Sequence, residues 1–161
     1  MLKLNLEIPI ELSRVVIGVY RQNNAGFIIN VCSLAGLING FSGTVYGASK
    51  SCLIKFSQAL SREIQLKGIT IQALCPGKVA TDFEVDSETI SQFPRPLLLT
   101  PQQVVKASLD DLIAAKVISV PGYAYQWLVM LDKIHAARYG LKLLFIFMRF
   151  GVIPKVVFQK K

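Results

Sequence analysis

The sequence is poor in the groups that build metal sites and disulfide frameworks. It has one histidine, His135, and three cysteines, Cys32, Cys52 and Cys75, which are odd in number and form no C-x-x-C pair. No metal is expected, and His135 reads as a surface residue of a helix. The cysteines read as reduced thiols, with Cys52 and Cys75 packed in the core, which points to a cytoplasmic setting. Internal repeats and low-complexity segments are absent. The N-terminal stretch MLKLNLEIPIELSR carries acids among its apolar residues and has no small-residue cleavage site, so a signal peptide is not expected. The apolar run Leu143–Met148 is bounded by Lys142 and Arg149. The stretch 123–150 is too short and too interrupted to span a bilayer.

Acidic residues are scarce at one end only. Residues 1–120 hold 11 Lys/Arg against 9 Asp/Glu, whereas residues 121–161 hold 7 against Asp132 alone, so most of the net charge of +8 sits in the tail. Trp127, Leu128, Leu131, Ile134 and the 143–148 run give that tail an apolar aromatic face bordered by base. Such a helix suits an anionic membrane surface, or packs on the fold or a partner subunit. Its bases alternate with large aliphatics and form no polar stripe, so nucleic acid is not an expected partner. The chain as a whole, 161 residues with 52% hydrophobic content and a mean hydropathy of +0.46, is rich enough to order around a core. The expected division is 1–120 for the folded part and 121–161 for the helical tail.

Along the chain, strand and helix patterns alternate. Leu12, Val15, Val16 and Val19 form a helical stripe within residues 4–22. After the break at 23–26, Phe27–Cys32 reads as a strand buried on both faces. A glycine-rich loop with Gly36, Gly40, Gly43 and Gly47 leads to a helix over 48–67, with Leu53, Phe56, Leu60 and Ile64 inward and Gly68 as its stop. Ile69–Cys75 reads as a second strand ended by Pro76-Gly77. Residues 82–99 read as a loop or lid, with Phe83, Phe93 and Leu97–Leu99 suggesting an apolar substrate pocket. Thr100-Pro101 opens a helix to about Lys116 as N-cap and first residue, and 117–120 is a short strand before Pro121-Gly122. The alternation predicts an α/β fold with a parallel sheet.

Four polar residues stand out against this background. Tyr46 and Lys50 are one helical turn apart and share a face. A phenol with its reference pKa near ~10 is a poor base at neutral pH, and a neighbouring ammonium favours the phenolate. Ser33 follows a strand at the end where open α/β sheets place ligands, and its hydroxyl is suited to hold a substrate oxygen. Asn5 lies four residues before Pro9. Proline has no N–H for the carbonyl four residues back, so the Asn5 carbonyl is free to hold a water linking Lys50 to solvent.

The runs Gly26–Gly36, Tyr46-Gly-Ala-Ser-Lys50 and Pro76-Gly-Lys-Val-Ala-Thr81 together resemble the short-chain dehydrogenase/reductase family. Its Asn-Ser-Tyr-Lys tetrad is matched in order and spacing by Asn5, Ser33, Tyr46 and Lys50. The resemblance covers about Leu4 to Gly122. It implies a partial Rossmann-like sheet, its last three strands with their helices, and NAD or NADP as cofactor. Tyr46 is then the acid/base for an alcohol or ketone and Ser33 orients the carbonyl. Lys50 also bonds the nicotinamide ribose, Asn5 holds the relay water, and Pro76, Gly77, Val79 and Thr81 contact the nicotinamide carboxamide.

One family element is missing from the sequence. A Thr-Gly-x-x-x-Gly-x-Gly turn, whose N–H groups cradle the pyrophosphate, is nowhere present, nor is the selector of the adenine ribose. Gly36 and Gly40 come nearest but follow the serine strand. The sequence therefore reads as the catalytic half of a truncated enzyme, expected to be inactive unless an N-terminal half complements it. Strand 27–32 would then have a bare edge, favouring a homo-oligomer or aggregate over a lone monomer. A non-catalytic remnant and a peripheral membrane module acting through the basic tail are the competing expectations.

Overall fold

The computed structural model describes residues 1–38, 43–64, 68–80 and 97–134. The chain divides into two compact units, Met1–Trp127 and Leu128–Lys161. In the second, the described residues 128–134 are helical; the apolar run at 143–148 and His135 lie outside the described residues.

The first unit is built on three parallel strands, β1 (Gly26–Val31), β2 (Ile69–Leu74) and β3 (Ile118–Ser119), in the spatial order β1-β2-β3. Gly26 pairs with Ile69 through to Val31 with Leu74, and Ala73 pairs with Ile118. The helices are α1 (Ile8–Asn23), α2 (Thr44–Glu63), α3 (Pro101–Ile113) and α4, whose residues in this unit are 123–127, with a π-turn at Lys3–Glu7 and a 3-10 turn at Leu34–Gly36. The α/β class and the parallel sheet are as the alternation predicts.

Because side chains alternate along a strand, β2 presents two different faces. Ile71 joins Ile17 of α1 and Ile64 in one apolar cluster, and Ala73 and Cys75 join Cys32, Leu53 and Ile54 in another. Burying a side chain of this size contributes about 1.5–3 kcal/mol. Gln72 points the other way and is anchored to α3, donating to the Ser108 carbonyl (3.1 Å) and accepting from its hydroxyl (2.7 Å).

β1 corrects one expectation, since Phe27 and Val31 are each 58% exposed. Its Ile28 and Asn30 side packs toward α1 and α2, whereas α3 packs on β2 and β3 and leaves the other side of β1 open. The stripe on α1 also turns out differently. Ser13 and Ile17 are the buried residues, and Leu12, Val15 and Val19 face out. The Ser13 hydroxyl is satisfied by the Pro9 carbonyl (2.7 Å), which lets a polar residue occupy the inner face. Cys52 is a further correction: it is exposed on α2, while Cys32 and Cys75 are buried.

The helix ends follow their local chemistry. Thr100 caps α3 in a reciprocal pair with Gln103, Gln103 N–H to Thr100 Oγ1 (3.2 Å) and Thr100 N–H to Gln103 Oε1 (2.8 Å), with Pro101 in the first turn. α3 ends at Ile113, three residues short of the expectation, and α2 begins at Thr44, four residues early.

Candidate active site

The carboxyl ends of β1 and β2 bring the candidate residues to one side of the sheet. Ser33 follows β1 in extended backbone and caps the 3-10 turn, its hydroxyl oxygen accepting from Ala35 N–H (3.2 Å). The turn packs directly on α2. A Cβ added at Gly36 would lie 2.7 Å from the Lys50 carbonyl carbon, and one at Gly47 would lie 3.1 Å from the Ala35 carbonyl oxygen. Glycine at 36 is what lets the serine turn approach the helix that carries Tyr46 and Lys50.

Lys50 is buried, 8% exposed, and donates from Nζ to the Val31 carbonyl at 2.9 Å. A buried charge needs such a partner. The ammonium also stands 5.7 Å from the centre of the Tyr46 ring, within cation–π range. Tyr46 itself is half-buried, and Ser49 bonds its carbonyl within the helix (2.7 Å). The expected face-sharing of Tyr46 and Lys50 is thus present, with the amine turned inward.

The second strand is tied to the same place through its backbone. Cys32 N–H donates to Leu74 O (2.7 Å) and Leu34 N–H to Pro76 O (2.9 Å), so the Ser33 turn and the Pro76-Gly77 segment are joined. Val79 forms a parallel bridge with Leu99. Thr81 lies outside the described residues, as does most of the expected substrate loop.

Asn5 sits half-buried in the π-turn, which packs against α2 and sends Leu6 toward the Cys32 cluster. Ile8 N–H donates to Lys3 O five residues back, and Pro9 follows. The shift of the helical ladder at this point accords with a proline that has no N–H to offer Asn5.

A side-chain hydrogen bond with Cys32, then burial, push the Cys75 thiol well above the ordinary range, which disfavours the thiolate. Among the described residues no cluster of three or more His, Cys, Asp or Glu could hold a metal ion, and no helix is long and apolar enough to cross a membrane.

Sequence reasoning missed Tyr125. It is 1% exposed, and its hydroxyl accepts from Lys78 N–H (2.9 Å) and donates to the Leu97 carbonyl. Both partners are backbone groups 47 and 28 residues away, so no local spacing announces them.

Comparison with known proteins places these features in one family. The model for short chain dehydrogenases matches residues 1–90. Asnovolin H dehydrogenase nvfC of Aspergillus novofumigatus is 36% identical over 109 residues, covering 67% of this chain and 42% of that protein. The bulky-bulky ketone specific alcohol dehydrogenase from Comamonas testosteroni superposes with a TM-score of 0.63 at 25% identity, over 94% of this chain and 53% of that one. A 4-hydroxyisoleucine dehydrogenase complexed with NADH and succinate gives 0.60 at 26% identity, over 73% and 54%. The chain thus spans about half the length of the relatives it matches. It belongs to the short-chain dehydrogenase family.

Proposed function

We propose that this chain carries the catalytic part of an NAD(P)-dependent oxidoreductase that interconverts a secondary alcohol and a ketone, with Tyr46 as the acid/base. The observation that supports it best is the buried Lys50 ammonium, fixed by the Val31 carbonyl and set over the Tyr46 ring at the carboxyl end of β1. The residues fit the nicotinamide end of such a cofactor. An ammonium has three N–H donors, and among the described residues Val31 takes one of them, which leaves donors for ribose hydroxyls. Pro76, Gly77, Val79 and Thr81 would line the carboxamide. For the pyrophosphate, the Thr-Gly-x-x-x-Gly-x-Gly spacing does not occur in the sequence.

When bound, the nicotinamide supplies or takes the hydride. The chain's own residues handle the proton and the orientation. Ser33, whose oxygen already accepts from Ala35, keeps its hydroxyl proton to hold the substrate oxygen. Tyr46 gives its proton to that oxygen in reduction and removes it in oxidation, a role worth about 10²–10⁴-fold in rate. Lys50 and a water on the Asn5 carbonyl relay a proton from solvent to Tyr46 in reduction and from Tyr46 to solvent in oxidation. A bulky, apolar ketone is the proposed substrate class, in line with the Comamonas testosteroni relative and with Leu97–Leu99 beside the site.

By themselves these residues should turn over weakly or not at all, since nothing among them cradles phosphate. A complementing segment would add a strand at the β1 edge, where an apolar groove of about 430 Å³ runs along Leu12, Phe27, Ile29, Val31 and Lys50.

Reduced nicotinamide mononucleotide, which lacks the adenylate half, is the probe suited to this chain. Fluorescence titration should show saturable binding that Lys50→Ala weakens and Tyr46→Phe preserves. Joined to a nucleotide-binding segment, the chain should reduce bulky ketones, and Tyr46→Phe should abolish turnover. Full turnover by that variant would refute the assignment.

A further inference from the structure

We propose that Tyr125 is a positioning residue, which holds the Pro76–Val79 backbone in register with the serine turn. The proposal rests on the functional reading above for what that backbone faces, and on the following geometry for how it is held.

Tyr125 lies near the start of α4, its N–H bonded to Gly122 O (3.1 Å), and is among the largest fully buried side chains. A buried phenol needs partners for its hydroxyl, and this one uses both of its functions on main chain. It accepts from Lys78 N–H at 2.9 Å and donates to the Leu97 carbonyl. The two pieces of chain on either side of 81–96 are therefore fastened to one oxygen. A short ladder repeats the link, Leu99 N–H to Lys78 O (3.0 Å) and Ala80 N–H to Leu99 O (2.8 Å).

The ring fixes position as well as the hydroxyl does. A Cβ added at Gly77 would lie 2.1 Å from Tyr125 Cζ, so the backbone at 77 rests against the ring face and only glycine fits. From Gly77 the path to the chemistry is short, because Pro76 O accepts from Leu34 N–H (2.9 Å), next to Ser33. Tyr125 thus sets the height of Pro76–Lys78, and through Pro76 the seat of the serine turn.

The test uses the full 161-residue chain and two readouts. The first is amide hydrogen exchange. In the wild type the Lys78 amide should be protected although it lies outside any strand. Tyr125→Phe, which keeps the ring over Gly77, should speed its exchange by about tenfold or more while Ile71 and Ala73 in β2 keep theirs. Fast exchange at Lys78 in the wild type overturns the proposal without any variant, and so does unchanged exchange in a folded Tyr125→Phe chain. Gly77→Ala, which keeps the hydroxyl in the protein but pushes the ring and the oxygen it carries away from Lys78, should speed Lys78 exchange in the same way.

The second readout is the affinity for reduced nicotinamide mononucleotide, expected to fall about three- to tenfold in Tyr125→Phe under conditions where the variant is fully folded, whatever its loss in unfolding midpoint. Wild-type affinity in the folded variant, with only the midpoint lowered, overturns the positioning claim. Should the wild-type chain not bind the probe, the nicotinamide reading fails, and exchange at Lys78 alone decides whether Tyr125 holds this backbone.

Discussion

β1 and β2 are neighbouring six-residue strands of similar composition, paired residue for residue, yet they live in different surroundings. β2 has β1 and β3 at its sides, α2 on one face and α3 on the other, and its last four residues are buried. Among the described residues β1 has a strand partner on one side only and helices over one face, and Phe27 and Val31 are exposed. Burial is thus assigned by position in the sheet and not by the apolar content of the strand. The candidate chemistry sits at the junction of the two, with Lys50 anchored on the last residue of β1 and Pro76 just beyond β2.

The largest expected effect tests that difference directly. Ile71→Ala should cost about 2–4 kcal/mol, because a side chain 2% exposed leaves a cavity between α1 and α2. Phe27→Ala, the larger truncation on β1, should cost less than about 1 kcal/mol. Urea unfolding of the two variants gives the comparison, and equal losses would break it by showing that β1 is covered in solution.

The same contrast explains what could be read from the amino acids. The Tyr46 and Lys50 spacing, the Thr100 cap and the serine after a strand are local features, and each falls on the helix, cap or strand end read from its neighbours. The outward stripe of α1 and the exposed Cys52 were not readable, because hydrophobicity marks a face without saying what covers it. Ser13 facing inward depends on a carbonyl at Pro9 and an amide at Asn30, the latter 17 residues away. Tyr125 escaped for a related reason: its partners are backbone atoms, which leave no trace in residue type.

Two buried amides sharpen the comparison at a smaller scale. Gln72 and Asn30 sit on opposite faces of the sheet, each satisfied by serine. Gln72 makes a two-way pair with Ser108, while Asn30 donates to Ser57 (3.0 Å) and accepts a long bond from Ser13 (3.5 Å). Removing a buried hydrogen-bonding partner costs about 1–3 kcal/mol. Gln72→Ala should fall at the upper end of that range and Asn30→Ala at the lower, because the Ser13 and Ser57 hydroxyls keep the Pro9 and Leu53 carbonyls as partners. Denaturation midpoints in the reverse order would mean that the face covered by α1 and α2 is held more tightly at this level than the face covered by α3.

The smallest effect belongs to the far edge. Asp111 of α3 accepts from the Ser119 hydroxyl of β3 (2.7 Å) and from Lys116 Nζ (2.6 Å), and that hydrogen bond raises the lysine pKa above its usual 10.5. A lysine raised on folding adds stability that is complete below 10.5 and lost as the pH climbs through the folded value. Both the loss and the effect should be slight, because the ammonium is in water and screened. Unfolding midpoints taken near neutrality and above 10.5 should therefore converge slightly between wild type and Lys116→Gln as the pH rises. A gap that widens instead would mean that the lysine opposes its carboxylate, leaving Ser119 as the contact that ties β3 to α3.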